Sequence, residues 1–97
     1  MVREIRWSLK ADKDRREIED YWTNRNKSNT YSLKLDQLFR EGVNLISKAP
    51  EIGTSTKFPS VRFKIIRDYL VYYRISSEFI EIITIWDSRR DPKKFKL

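Results

Sequence analysis

Residues 61–94 read VRFKIIRDYLVYYRISSEFIEIITIWDSRRDPKK, and this stretch decides how the chain folds. It is dense in Val, Ile, Phe, Tyr and Trp, which favour the half-buried surface of a β-sheet. Short polar breaks interrupt it at Arg67-Asp68 and at Ser76-Ser77-Glu78. The pattern predicts three consecutive strands over residues 61–66, 69–75 and 79–86, followed by a basic tail.

The hairpin between the first two strands has two candidate registers. A two-residue turn at Arg67-Asp68 pairs Phe63 with Tyr72 and mixes apolar with polar faces. A three-residue loop over residues 67–69 pairs Lys64 with Tyr72 and brings the apolar faces together. We prefer the three-residue loop, because the buried face sets the register of a strand pair.

This register predicts a positively charged face on the sheet. Side chains alternate along a strand, so Arg62 and Lys64 share one face and meet Tyr72 and Arg74 on the second strand. Like charges placed opposite each other destabilise a sheet, and an anion between them relieves the repulsion. The face is therefore expected to bind an anion. The alternative role for Arg74 is a cross-strand pair with Glu81.

The first half of the chain predicts a short strand and two helices. The strand is expected at residues 2–8, and either Ser8 or, slightly later, Asp12 can cap the helix that follows. Apolar residues recur at steps of three and four over residues 11–27 and, more clearly, over residues 30–48. Two such helices joined by a short polar break form an antiparallel hairpin.

Two breaker residues mark the second helix. Gly42 lies on its apolar stripe, where close packing against the neighbouring helix would offset the cost of a glycine. Pro50 ends the helix, and a loop over residues 50–59 leads into the sheet. The expected fold class is α+β in the order β-α-α-β-β-β, an antiparallel twisted sheet packed against a two-helix hairpin. Residues 1–97 are expected to form a single domain.

The composition excludes several kinds of site. The 97 residues contain no cysteine and no histidine, so disulfides, thiolate metal sites and histidine acid–base chemistry are excluded. No cofactor and no metal are expected. No apolar run is long enough to span a membrane and no signal peptide opens the chain, so a cytoplasmic protein is expected.

The charge balance points to an anionic partner. Lysine and arginine number 21 against 14 acidic residues, which gives a formal charge of +7. The tail concentrates this excess, because Arg89, Arg90 and three lysines lie there beside Asp91. A basic surface of this kind suits phosphate backbones or an acidic protein partner.

The order of these elements and the amino-acid sequence of the last third of the chain resemble the RelE/ParE superfamily of bacterial toxins. The matching segments are Ile5-Arg6-Trp7, Tyr21-Trp22, Pro50-Glu51-Ile52-Gly53, Val61-Arg62, the run DYLVYYR at 68–74 and the run from Ile82 to Pro92. The resemblance implies the toxin of a type II toxin–antitoxin module that arrests bacterial growth. It also implies a cognate antitoxin that wraps and silences the toxin.

The RelE-like branch implies a metal-free endoribonuclease that cuts messenger RNA on the ribosome. By position, Arg62 and Lys64 match the paired basic residues of that branch, and Arg89 matches the arginine after its last strand. These three residues are the expected catalytic set. Leu70 and Phe95 depart from the pattern, since the branch carries an arginine and a tail tyrosine at those places. A nuclease would then need another general base, such as Lys64, Tyr72 or Glu51.

The ParE-like branch shares the fold without this catalytic set, and resembles proteins that inhibit DNA gyrase. The resemblance leaves both targets open, with ribosome-bound messenger RNA slightly favoured over gyrase. Beyond the catalytic set, a nucleic-acid-binding surface is expected from Tyr72, Arg74, Arg90, Lys93 and Lys94.

Overall fold

Two helices cover one face of a five-stranded sheet in the computed structural model, which describes residues 2–97. The strands are β1 (Glu4–Trp7), β2 (Thr54–Ser55), β3 (Val61–Ile66), β4 (Tyr69–Ile75) and β5 (Phe79–Asp87), and the helices are α1 (Leu9–Asn26) and α2 (Thr30–Lys48). The strand order is β1-β5-β4-β3-β2. The expected α+β fold with a helical hairpin is confirmed. The sheet is mixed, because β1 runs parallel to β5, and β2 forms within the expected loop.

Capping residues set both ends of α1, the first helix of the hairpin. The Ser8 hydroxyl accepts a hydrogen bond from the Ala11 N–H, which confirms the expected cap of α1. Lys27 takes a left-handed conformation with φ 53° and ends that helix. The apolar stripe of α2 then packs onto the sheet through Leu35, Phe39, Val43 and Ile46. Neither helix is apolar enough along its length to cross a membrane.

Gly42 packs against the sheet, so the expectation that it packs against the neighbouring helix is wrong. A Cβ atom at this position would collide with the Ile66 side chain of β3. The glycine therefore lets α2 lie close over the edge of the sheet, next to the Lys64 side chain.

The register of the β3–β4 hairpin differs from the preferred one. Phe63 lies opposite Tyr72 and Ile66 lies opposite Tyr69, so the turn has two residues and the three-residue loop is wrong. Arg67 supports this tight turn with φ 56°, since short hairpin turns need a positive φ.

This register divides the expected charged face between the two sides of the sheet. Arg62 and Lys64 lie opposite Tyr73 and Val71, whose side chains belong to the core under the helices. Tyr72 and Arg74 face the other way, onto the side that the helices leave uncovered, which we call the open face. Arg62 and Lys64 can lie on the helix side because their side chains are long. Near a sheet edge such side chains reach past the core and place their charge among polar partners.

Candidate functional site

Four aromatic rings form a row across the open face. Tyr72 lies at its centre, with its ring centroid 5.3 Å from that of Phe63 and 4.6 Å from that of Phe95. Phe95 also meets Trp86 edge to face at 5.1 Å. Such offset and edge-on contacts are favourable beyond the area they bury. The row joins β3, β4 and β5 to the tail of the chain, and we call it the aromatic row.

The tail reaches the aromatic row through a tight turn. The Asp91 carboxylate accepts a hydrogen bond from the Lys93 N–H at 3.0 Å, and the Phe95 N–H donates to the Pro92 carbonyl at 3.1 Å. Lys93 and Lys94 lie exposed in this turn. Phe95 is the one residue between 91 and 97 that is not exposed, so its ring attaches this segment to the sheet.

Basic side chains accompany the aromatic row. The Arg90 guanidinium lies 4.6 Å from the centre of the Trp86 ring, a cation–π contact. Arg74 is exposed on β4 opposite Glu81, as the alternative interpretation of this residue predicted. The open face is therefore aromatic in its middle and basic around it.

Tyr72 contributes a ring and not a base. Burial raises the pKa of its phenol above the ordinary value of 10.0. The phenol therefore stays protonated at neutral pH, and it can donate a hydrogen bond or stack but does not accept a proton.

The Arg62 side chain forms its hydrogen bonds on the helix side of the sheet. Its guanidinium donates to the Gly53 carbonyl at 2.8 Å and, less closely, to the Glu51 carbonyl at 3.4 Å. Tyr73 binds the same turn, since its hydroxyl donates to the Pro50 carbonyl at 2.6 Å. The arginine thus holds the turn that follows α2.

Arg89 is held at a third place, beyond the end of β5. Its guanidinium donates to both carboxylate oxygens of Asp87, each at 2.9 Å, and lies 5.8 Å from the Trp22 ring of α1. The same arginine lowers the pKa of Asp87. This paired arginine therefore faces the helix layer, while the next residue, Arg90, contacts the open face.

The structure brings together some of the expected site residues and separates others. Tyr72, Arg74 and Arg90 border the open face, and the turn of Lys93 and Lys94 adjoins it. The expected catalytic residues all lie on the helix side, but Arg62 and Lys64 share one face of β3 whereas Arg89 pairs with Asp87 beyond the end of β5. Among the described residues, no group of carboxylates lies close enough to hold a metal ion.

Sequence reasoning missed the aromatic row, because it treated Phe95 only as a missing tyrosine. The signal was a lone aromatic residue within a basic tail, three positions after a proline that fixes a turn. Trp86 had no such signal, since its strand looks apolar on two faces, and Phe63 looked like part of the buried face of its strand.

Comparison with known proteins identifies the family. The family model described as ParE toxin of type II toxin–antitoxin system, parDE, matches residues 5–92. A solved structure described as the chromosomal ParDE toxin–antitoxin system from P. aeruginosa has a TM-score of 0.73 and 22% identity, and the match covers 87% of this chain and 94% of that chain. No curated protein matches the chain.

The two positive matches agree with each other and with the fold. The likeness to the solved structure shows a shared arrangement of helices and strands, and the family model covers most of the chain. A cognate antitoxin is the partner that such a system implies. The chain therefore belongs to the ParE family, the toxins of type II toxin–antitoxin systems.

Proposed function

We propose that this toxin arrests growth by binding and inhibiting DNA gyrase in the cytoplasm, without being an enzyme itself. The observation that carries the proposal is the separation of Arg89, beyond the end of β5, from Arg62 and Lys64, which share one face of β3. A ribonuclease needs its cations around one phosphate, where they stabilise the charge that develops during cleavage. Arg62 instead bonds to backbone carbonyls and Arg89 to Asp87.

Two common proton-transfer groups, a histidine and a tail tyrosine, are also missing. Phe95 occupies the place of a tail tyrosine, and the chain has no histidine. The phenol of Tyr72, on the open face, has a raised pKa and keeps its proton. A messenger RNA nuclease, which the sequence slightly favoured, thus has less support than gyrase binding.

The open face has the composition of a protein-binding surface. Tyrosine and arginine are among the residue types that contribute most to protein–protein affinity, and Tyr72 and Arg90 lie there, with Arg90 over the buried ring of Trp86. Arg74, Lys93 and Lys94 add positive charge at its border. Charge at a border speeds the approach of an acidic partner.

A supercoiling assay with purified DNA gyrase tests this proposal. The wild-type toxin is expected to block supercoiling, and purified antitoxin is expected to restore it. A parallel translation reaction should leave the messenger RNA intact. Cuts within translated codons, together with unchanged supercoiling, would instead support the nuclease.

A further inference from the structure

A groove of about 530 Å³ opens beside the aromatic row, between the tail and the loop after β2. Tyr72 forms part of its lining, and the other lining residues are Thr56, Lys57, Phe58, Phe95, Lys96 and Leu97. Two of its apolar side chains are open to solvent, since Phe58 is 43% exposed and Leu97 is 44% exposed. Exposed apolar groups lining a concave surface mark an interaction site.

The tail supplies one wall of this groove, and the Phe95 ring attaches it to the sheet. The hydrogen bonds recorded for residues 91–97 all join residues within that segment. Aromatic packing of Phe95 against Tyr72 and Trp86 joins the segment to the sheet. If the Phe95 ring were removed, the tail would lose this attachment and the groove would lose its wall.

The charge of the lining selects the chemistry of the occupant. Lys57 and Lys96 are both exposed, and no aspartate or glutamate side chain is among the lining residues. Lys57 also lies 5.4 Å from the centre of the Phe58 ring. An occupant that inserts an apolar side chain and carries carboxylates beside it satisfies both features.

We propose that this groove binds an acidic segment of the gyrase protein, with an apolar side chain of that segment inserted between Phe58 and Phe95. Phe95 then contacts the inserted side chain and also holds the tail where the groove forms. This inference rests on the proposed function and names the part of the toxin surface that recognises the target. The position of the groove is consistent with binding through the open face, because Tyr72 and Phe95 belong to both.

A protein segment suits the groove better than a nucleic acid strand. A strand is bound by a track of cations that follows successive phosphates, with bases stacked on aromatic rings. This groove presents two lysines, and its wall includes the aliphatic side chain of Leu97. An aliphatic wall contributes apolar contact but no stacking face.

The test measures the affinity of the full-length toxin for purified gyrase and the toxin concentration that halves supercoiling. Phe95→Ala and the double variant Lys57→Glu/Lys96→Glu should each weaken binding about tenfold or more, as truncation of a central anchor does. Phe95→Tyr keeps the ring and should stay within about threefold of wild type. Lys34→Glu reverses an exposed charge on α2 and serves as the matched control.

Further measurements separate this inference from a folding defect and from the proposed function. Circular dichroism melting of each variant should match wild type, since the tail contributes little to the core. If wild type inhibits gyrase and the groove variants inhibit it equally, the groove assignment is wrong and the proposed function stands. If wild type neither binds nor inhibits gyrase, the proposed function and this occupant both fail. Weaker binding of single-stranded DNA or of antitoxin, with unchanged gyrase affinity, also overturns the inference.

Discussion

At the scale of single residues, Tyr73 joins the sheet to the turn after α2. Its side chain is fully buried, and its hydroxyl donates to the Pro50 carbonyl and accepts from the Gly53 N–H. Arg62 binds the same turn from the neighbouring strand. The turn therefore depends on side chains for its backbone hydrogen bonds, as buried backbone outside regular structure generally does.

Tyr73→Phe should destabilise the protein by about 1–3 kcal/mol, because it leaves a buried donor and a buried acceptor without partners. Urea unfolding followed by circular dichroism measures the change. Tyr21→Phe is the control, since Tyr21 is 52% exposed and should change stability by less than about 0.5 kcal/mol. Equal stability of the two variants would contradict the role assigned to the buried hydroxyl.

Glu19 is the residue whose charge the fold opposes most clearly. Burial, followed by the nearby Asp36 carboxylate, raises the pKa of Glu19 to about 7. Arg15 and Arg40 act against this rise, and Arg15 is shared with Asp12 as well as with Asp36. One oxygen of Glu19 is buried without a hydrogen-bond partner. The pair therefore prefers to hold one proton between α1 and α2.

This pKa predicts that stability falls as the pH rises. The pKa of Glu19 is about 7 in the folded state and near 4.5 in the unfolded state. Its contribution to stability is therefore complete below pH 4.5 and is lost as the pH rises from there to about 7. Glu19→Gln mimics the protonated group and should gain up to about 2 kcal/mol over wild type at pH 7.5, with little gain at pH 4.5. Urea unfolding at both pH values measures this. Glu17→Gln, on an exposed part of α1, should show no such change.

At the scale of elements, the sequence predicted the order of helices and strands but not the register of one hairpin. Periodicity placed α2 and the strands well, because their apolar residues recur at regular steps. The register failed because Arg62 and Lys64 were assigned to solvent by residue type. In the fold both lie on the helix side near a sheet edge, where Arg62 reaches the carbonyl of Gly53. A contact of this kind depends on tertiary structure and leaves no local pattern.

The two-residue turn makes a prediction about Arg67. Its φ of 56° is unfavourable for a β-branched residue, whereas asparagine tolerates it. Arg67→Val should therefore cost about 1–2 kcal/mol, and Arg67→Asn should stay near wild type. Thermal or urea unfolding of the two variants measures the difference. A harmless valine would argue for the longer loop that the sequence favoured.

At the scale of the whole molecule, the helices bury one side of the sheet and leave the other to the tail. Phe95 packs against Tyr72, which lies 23 residues earlier in the chain. Local periodicity does not reveal a contact over that distance. The family was predictable because the order of its segments is visible in the chain. The choice of target was not, because it depends on which basic residues share a surface after folding.

Toxicity in cells separates the two sets of basic residues. Under the proposed function, Arg74→Glu/Arg90→Glu should abolish growth arrest, since it reverses charge at the border of the open face. Lys64→Gln/Arg89→Gln should leave growth arrest intact, and it spares Arg62, whose loss would disturb the turn at Gly53. Colony counts after induction without antitoxin measure both variants.

The interpretation of that comparison requires that each variant is folded and still bound by antitoxin. Co-purification with antitoxin provides this control, because an unfolded toxin would not be retained. The opposite result, with growth arrest lost only in Lys64→Gln/Arg89→Gln, would support the nuclease and contradict the proposed function. Those two residues have no shared surface in this fold, since Lys64 adjoins α2 and Arg89 pairs with Asp87. A nuclease that used both would have to rearrange the sheet edge on the ribosome, whereas binding through the open face needs no such change.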